Sequence, residues 1–175
     1  SGILLPGATG AGKSIMVAWL VRQGSAYLGD EHVVLAPDGP VARHFPRPIA
    51  LRADGYRRLL EADPTLGDVG FPLPVTERHD VFIDPDDLNP GCVQYEGTVK
   101  YILFPRVVSG EEPLLAPLSK AEAMMKLVRG YLHFQSHRFA AIERLSNLIE
   151  ETASYALTMG DLERTTAVID DLILS

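Results

Sequence analysis

The 175-residue chain carries a single cysteine, Cys92. One cysteine cannot build a disulfide framework or a cysteine-based metal site within the chain, and a reducing compartment, the cytoplasm, is the simplest expectation. Basic residues are also in short supply, with 16 Lys and Arg against 23 Asp and Glu and a net charge of −7. That balance argues against nonspecific attraction to nucleic acid or to an anionic membrane, although Arg43, Arg47, Arg52, Arg57 and Arg58 do stand close together in the chain. No apolar run approaches the roughly 18 residues of a membrane span, and no signal-peptide pattern is visible. Internal repeats and low-complexity segments are absent. What is there, 46% hydrophobic and 22% charged residues, suffices for one sizeable core and hardly for two. A single domain over residues 1–175 is expected. Because Ser1 rather than Met precedes the first motif almost directly, the chain reads as the C-terminal segment of a longer protein.

The strongest positive signal is Gly7-Ala8-Thr9-Gly10-Ala11-Gly12-Lys13-Ser14, a full G-x-x-x-x-G-K-[ST] phosphate loop. The apolar run Gly2-Ile3-Leu4-Leu5 reads as a buried strand leading in, and Ile15 to Val21 as an apolar helix that stops at Gly24. Strand, glycine loop and helix together supply the context the pattern needs. Glycines let backbone N–H groups converge on an anion, and the new helix turns its positive end toward it. Lys13 is then the group that reaches the outer phosphates, and the Ser14 hydroxyl the one that holds Mg²⁺. The expected ligand is a nucleoside triphosphate.

Further along, Ser25 to Leu28 reads as a second strand, and Val33-Val34-Leu35 and Val41-Ala42-Arg43 as a hairpin around the turn-rich 36–40. The prolines of Phe45-Pro46-Arg47-Pro48 demand extended backbone. A helix is predicted over Ala53 to Ala62, a surface loop over 63–79, and strands at Val81–Ile83 and Val99–Phe104, separated by the turn-rich Asp84 to Gly91. Ser119-Lys120-Ala121-Glu122 is a capping box that starts a helix near Lys120. A second late helix is predicted from Ser136 to Glu150, with Phe139, Ile142, Leu145 and Ile149 on one face. Ser154 to Leu157 fits a short strand or continued helix. Gly160-Asp161 opens a last helix with Leu162, Ala167, Val168, Leu172 and Ile173 as its contacts. The fold class that follows is α/β, a phosphate-loop mixed sheet with flanking helices and a helical C-terminal end.

A phosphate loop needs a carboxylate partner, because Mg²⁺ prefers oxygen ligands and its waters must be oriented. Asp30 and Glu31 are the candidates, placed by a parallel strand–helix–strand unit back at the loop's edge. One acid would hold the metal while the other accepts the proton of an attacking hydroxyl. Arg47, presented by its proline-braced segment, is the candidate for charge on the transferring phosphoryl group, with Arg52 and Arg106 as further candidates. His32 and His79 read more simply as structural histidines, and His133 and His137 lack companions at metal-ligand spacing. Asp84, Asp86 and Asp87 read as a solvated turn, since the glycine and terminal glutamate of a calcium loop are missing.

The loop followed closely by Leu28-Gly29-Asp30-Glu31-His32 resembles the HPr kinase/phosphorylase-like group, which shares its phosphate loop and early acidic pair with ATP-dependent phosphoenolpyruvate carboxykinase. Phe45-Pro46-Arg47-Pro48, Glu77-Arg78-His79-Asp80, Phe104-Pro105-Arg106, Leu118 to Ala123 and Gly160-Asp161-Leu162 extend the similarity to the diverged HPr-kinase-related proteins. The resemblance implies Mg²⁺-dependent transfer of the γ-phosphoryl group of ATP to a hydroxyl: a serine of a protein or peptide, or a small molecule. By that resemblance Lys13 and Ser14 are phosphate and metal ligands, Asp30 is the general base, and Glu31 stands where the family has a second aspartate, sharing the metal with Ser14. It also implies assembly as a homo-oligomer. The glycine-rich signature loop with which the bacterial enzymes grip HPr is not found here, and the chain is too short for the carboxykinase activity. A different class of function also fits the loop, a nucleotide-binding regulatory module with weak catalysis.

Overall fold

The computed structural model describes residues 2–72, 80–108, 110–130 and 138–174. Glu77, Arg78, His79, His133, Ser136 and His137 lie outside the described residues. In chain order the elements are β1 (Gly2–Leu4), α1 (Lys13–Arg22), β2 (Val34–Leu35), β3 (Val41–Arg43), β4 (Ile49–Leu51), α2 (Ala53–Ala62), β5 (Phe71–Pro72), β6 (Val81–Ile83), α3 (Pro85–Leu88), β7 (Glu96–Val107), β8 (Leu114–Pro117), α4 (Lys120–Gly130), α5 (Arg138–Glu150), β9 (Ala153–Met159) and α6 (Leu162–Leu174). The fold is mixed α/β, with a mixed sheet and six α-helices among the described residues. None of these helices is long and apolar enough to cross a membrane. Two compact units divide the chain: residues 1–11, 35–42 and 97–175, and residues 12–34 and 43–96.

The first unit is organised by a six-stranded sheet in the order β2-β3-β7-β9-β8, with β1 also paired to β7. β1 and β9 run parallel to β7, and β8 runs antiparallel to β9. Ile102, Leu103, Phe104, Leu157 and Met159 are buried, a near-continuous apolar run of the kind expected of strands covered on both faces. Ile102 is wholly buried, so Ile102→Ala is expected to cost about 2–5 kcal/mol, read as a lower urea midpoint with an unchanged slope. The strand predicted to stop at Phe104 instead continues through Pro105 to Val107, with Pro105 opposite Leu157. Pairing with β1 ends at Leu4–Ile102, so the missing N–H of Pro105 removes no bond to that strand.

Other features of this unit also differ from the sequence expectation. β8 is a strand that periodicity did not reveal, flanked by Pro113 and ending at Pro117; an edge position tolerates proline, which a central one would not. On α5 the buried residues are Ala141, Leu145, Leu148 and Ile149, while Phe139 is 91% exposed and Ile142 is also exposed. On α6 the buried residues are Leu162, Thr165 and Ile169, whereas Ala167 and Ile173 are exposed. In both helices a 3.6-residue period fits more than one stripe, and packing selects which one is covered. The capping box forms as read: Glu122 N–H donates to Ser119 Oγ at 3.3 Å and Ser119 N–H to Glu122 Oε2 at 2.9 Å. Ser154 to Leu157 lies in strand, inside the longer β9.

The second unit packs α1 against α2, α3 and β4, beside a three-stranded antiparallel sheet in the order β4-β6-β5. Helix α2 occupies the predicted residues. The predicted 63–79 loop holds a 3-10 turn at Pro64–Leu66 and the strand β5 before residue 73, and the predicted turn 84–91 contains α3, started by Asp84 accepting from Asp86 N–H at 3.1 Å. The second strand predicted at Ser25 to Leu28 is not formed. Only Tyr27 makes a bridge, accepting from Gln94 N–H at 3.0 Å and donating to the Cys92 carbonyl at 2.9 Å. Ser25 and Ala26 are exposed, so the segment buries too little to hold a ladder.

Candidate functional site

Helix α1 is apolar nearly all round, with Ile15, Met16, Ala18, Trp19 and Val21 buried, which is why it forms as an interior helix. Gly12 precedes it with φ 87° and no side-chain cap. Glycine alone takes that left-handed backbone without strain, and having no side chain it leaves the first-turn N–H groups to be satisfied by other partners. The preceding stretch forms a tight turn in which Ala11 N–H donates to Ala8 C=O at 3.2 Å, with Gly10 at φ 86°. Lys13 and Ser14 therefore begin a helix whose positive end is suited to an anion.

Ser14 Oγ donates to the Asp30 carboxylate, 2.9 Å from each oxygen. Asp30 Oδ2 also accepts from Ala50 N–H on β4 at 3.2 Å. Burial pushes the Asp30 carboxyl above its ordinary range, and the Glu31 charge adds to this; the bonds from Ser14 and Ala50 and the Lys13 charge pull it back only in part. A carboxylate so placed is a stronger base than a solvated one.

No strand carries Asp30 to Ser14. The approach is built by side chains and single backbone bonds. Leu28 C=O accepts from Phe45 N–H at 2.9 Å and from His44 Nδ1 at 2.8 Å, and Tyr27 Oη donates to Arg47 C=O at 2.8 Å. Arg47 N–H donates to Phe45 C=O at 2.8 Å, so the segment predicted as extended closes a γ-turn around Pro46. Gly29 lies where an added Cβ would come 2.8 Å from the His32 carbonyl, a backbone clash that no rotamer relieves. Gly29→Ala is expected to cost about 1–3 kcal/mol and to lower any Asp30-dependent turnover; retention of both stability and turnover would contradict this geometry.

The two adjacent acids have different partners. Asp30, not Glu31, is the acid on Ser14. Glu31 Oε2 instead receives Arg47 Nη1 at 2.9 Å, with both side chains about half exposed; an exposed pair of this kind contributes little to stability. Arg52 occupies the N-cap position of α2 without a side-chain cap bond, and Arg106 belongs to the first unit, where its Nε donates to Thr158 Oγ1 at 3.3 Å and Nη2 lies 3.8 Å from Glu111. His32 packs at 5.6 Å against Phe45, and its buried Nδ1 finds no hydrogen-bond partner among the described residues. The contributions of Ala50, Tyr27 and His44 were not anticipated. A backbone N–H carries no residue signature, and the tyrosine and histidine give no sequence signal that separates them from core residues.

Among the described residues no three His, Cys, Asp or Glu side chains gather as a metal cluster. The donor set beside Ser14 nevertheless fits Mg²⁺: one hydroxyl and two carboxylate oxygens, all hard, for an ion that takes one or two protein ligands and fills the rest with phosphate and water. Compared with protein-family models, curated proteins and solved structures, the chain matches none of them.

Proposed function

We propose that this chain is an ATP- and Mg²⁺-dependent phosphotransferase that moves the γ-phosphoryl group to a hydroxyl, on a serine of a protein or peptide or on a small molecule. The observation that carries it is the Ser14–Asp30 contact at the start of a glycine-capped helix, the pairing of phosphate-loop hydroxyl with carboxylate that phosphoryl transfer requires. Residues 7–14 cradle the triphosphate, with Lys13 at its outer phosphates. Ser14 and Glu31 would hold the metal beside Asp30, and when bound it neutralises charge on the phosphate oxygens. Asp30 accepts the proton of the attacking hydroxyl; its burial-raised basicity suits that task. Arg47 exchanges its exposed partner Glu31 for the transferring phosphoryl group, at small cost because the pair it leaves is solvated.

The test is γ-labelled ATP with Mg²⁺ and a panel of protein, peptide and small-molecule acceptors. Label on a hydroxyl supports the proposal. One observation favours a second reading, a nucleotide-switch module with weak catalysis: Glu31 replaces the second aspartate of the resembled family and is tied to Arg47. Tight ATP binding without transfer or hydrolysis would select that reading.

A further inference from the structure

β4 is the edge strand of the β4-β6-β5 sheet. Its residues Ile49, Ala50 and Leu51 stand opposite Ile83, Phe82 and Val81 of β6. Successive residues of an antiparallel strand turn their N–H groups to opposite sides. The Ala50 N–H leaves the sheet on the free side, where an edge strand ordinarily offers its donors to water or to another chain. Here it meets Asp30 Oδ2 at 3.2 Å.

That bond has a consequence for the carboxylate's orientation. Ser14 Oγ is 2.9 Å from both Asp30 oxygens, so its contact does not distinguish them. The Ala50 bond goes to Oδ2 alone and so breaks the symmetry. The strand's approach is itself braced by Pro48 and by the Tyr27 Oη bond to Arg47 C=O. We infer that the Ala50 peptide N–H, at the free edge of β4, is the positioning group that sets the rotation of the Asp30 carboxylate and leaves Oδ1 as the oxygen that meets the acceptor hydroxyl. This inference rests on the phosphotransfer reading above. Ala50 itself touches no reactant in this account and acts through Asp30.

Ala50→Pro tests it, because proline deletes this one N–H. At an edge position with the N–H turned outward, proline removes no ladder bond, and the preceding residue is already extended, as proline requires. The expected result is a kcat lowered about tenfold to a hundredfold, the scale of a misplacement near an ångström, with KM for ATP within about twofold. Ala50→Ser, which keeps the N–H, is expected to recover most of kcat relative to proline. Independent of activity, amide hydrogen exchange at Ala50 in the full chain without nucleotide is expected to speed up by at least about tenfold in Asp30→Ala, since an edge amide is protected only while bonded. Unchanged exchange in Asp30→Ala, or an undiminished kcat in a folded Ala50→Pro protein, overturns the inference; if the proline variant does not fold, the exchange result decides. Exchange that depends on Asp30 in a wild-type protein that transfers no phosphate would sink the phosphotransfer reading while leaving the carboxylate's positioning in place.

Discussion

Asp30→Asn is expected to lower kcat by about 10²–10⁴, the usual contribution of a general base, while ATP affinity stays within a few-fold. Asparagine keeps an acceptor oxygen for the Ser14 hydroxyl and for Ala50 N–H, so the packing around residue 30 is retained and only the charge and the basic site are lost. A rise in the Mg²⁺ concentration needed for half activity, with little change in kcat at saturation, would instead make Asp30 chiefly a metal ligand. The same variant has a stability signature of defined sign. Burial raises the Asp30 carboxyl above its ordinary 3.8, so the folded protein binds this proton more tightly than the unfolded chain does. The cost of the buried charge is absent below the unfolded carboxyl's titration. It grows as pH rises through the interval between the unfolded and folded values, and is fully present above the folded one. Asp30→Asn should therefore be at least as stable as wild type at pH 7 and should lack this component of the pH dependence. Urea midpoints for both proteins between pH 3 and pH 8 measure it. A variant clearly less stable than wild type at pH 7 would show that the ionised carboxylate is a net stabilising group here, contrary to its burial.

Lys13→Ala is expected to act earlier, on binding itself. Removing one preorganised charge from a developing or bound phosphate costs on the order of 10²–10³, so ATP affinity and kcat/KM should both drop by at least about that factor. Lys13 also lowers the basicity of Asp30 through its charge. Any residual activity should therefore show its acidic limb displaced to higher pH, because the base must now be deprotonated without the Lys13 charge. Equilibrium titration with a fluorescent ATP analogue and a pH series of turnover check the two parts. Together the variants separate the two functional readings. A phosphotransferase loses chemistry in Asp30→Asn and binding in Lys13→Ala, whereas a switch module shows little turnover to lose and responds only to the second. Wild-type affinity in Lys13→Ala would remove the phosphate loop from the nucleotide site altogether.

Much of the fold was legible because its signals are short-range. The run of apolar residues after Ser14, the Ser119–Glu122 reciprocal cap and the limits of α2 between Arg52 and Asp63 are governed by sterics and hydrogen bonds within a turn or two. The expected strand at Ser25 to Leu28 failed for the opposite reason. Its sequence signal is local, but a ladder needs a long partner, and among the described residues Tyr27 finds a single bridge, to Val93. β8 escaped notice because its prolines are permitted by an edge position that only the assembled sheet defines. The acidic pair shows both sides at once. Its proximity to the loop was readable from spacing, though by a route that the structure does not take.

The sequence by itself determined the glycine loop and its helix, the identity of the hydroxyl at Ser14 and the presence of two adjacent acids, because each is a matter of residue type and immediate neighbours. Only the tertiary structure decided which acid meets Ser14. Asp30 is turned there by a backbone N–H 20 residues away at a sheet edge and by the Phe45 and His44 bonds to Leu28, while Glu31, one residue on, is drawn to Arg47. Adjacent residues in a turn point in different directions, and which direction leads inward is set by long-range contacts that exist only once the chain has folded.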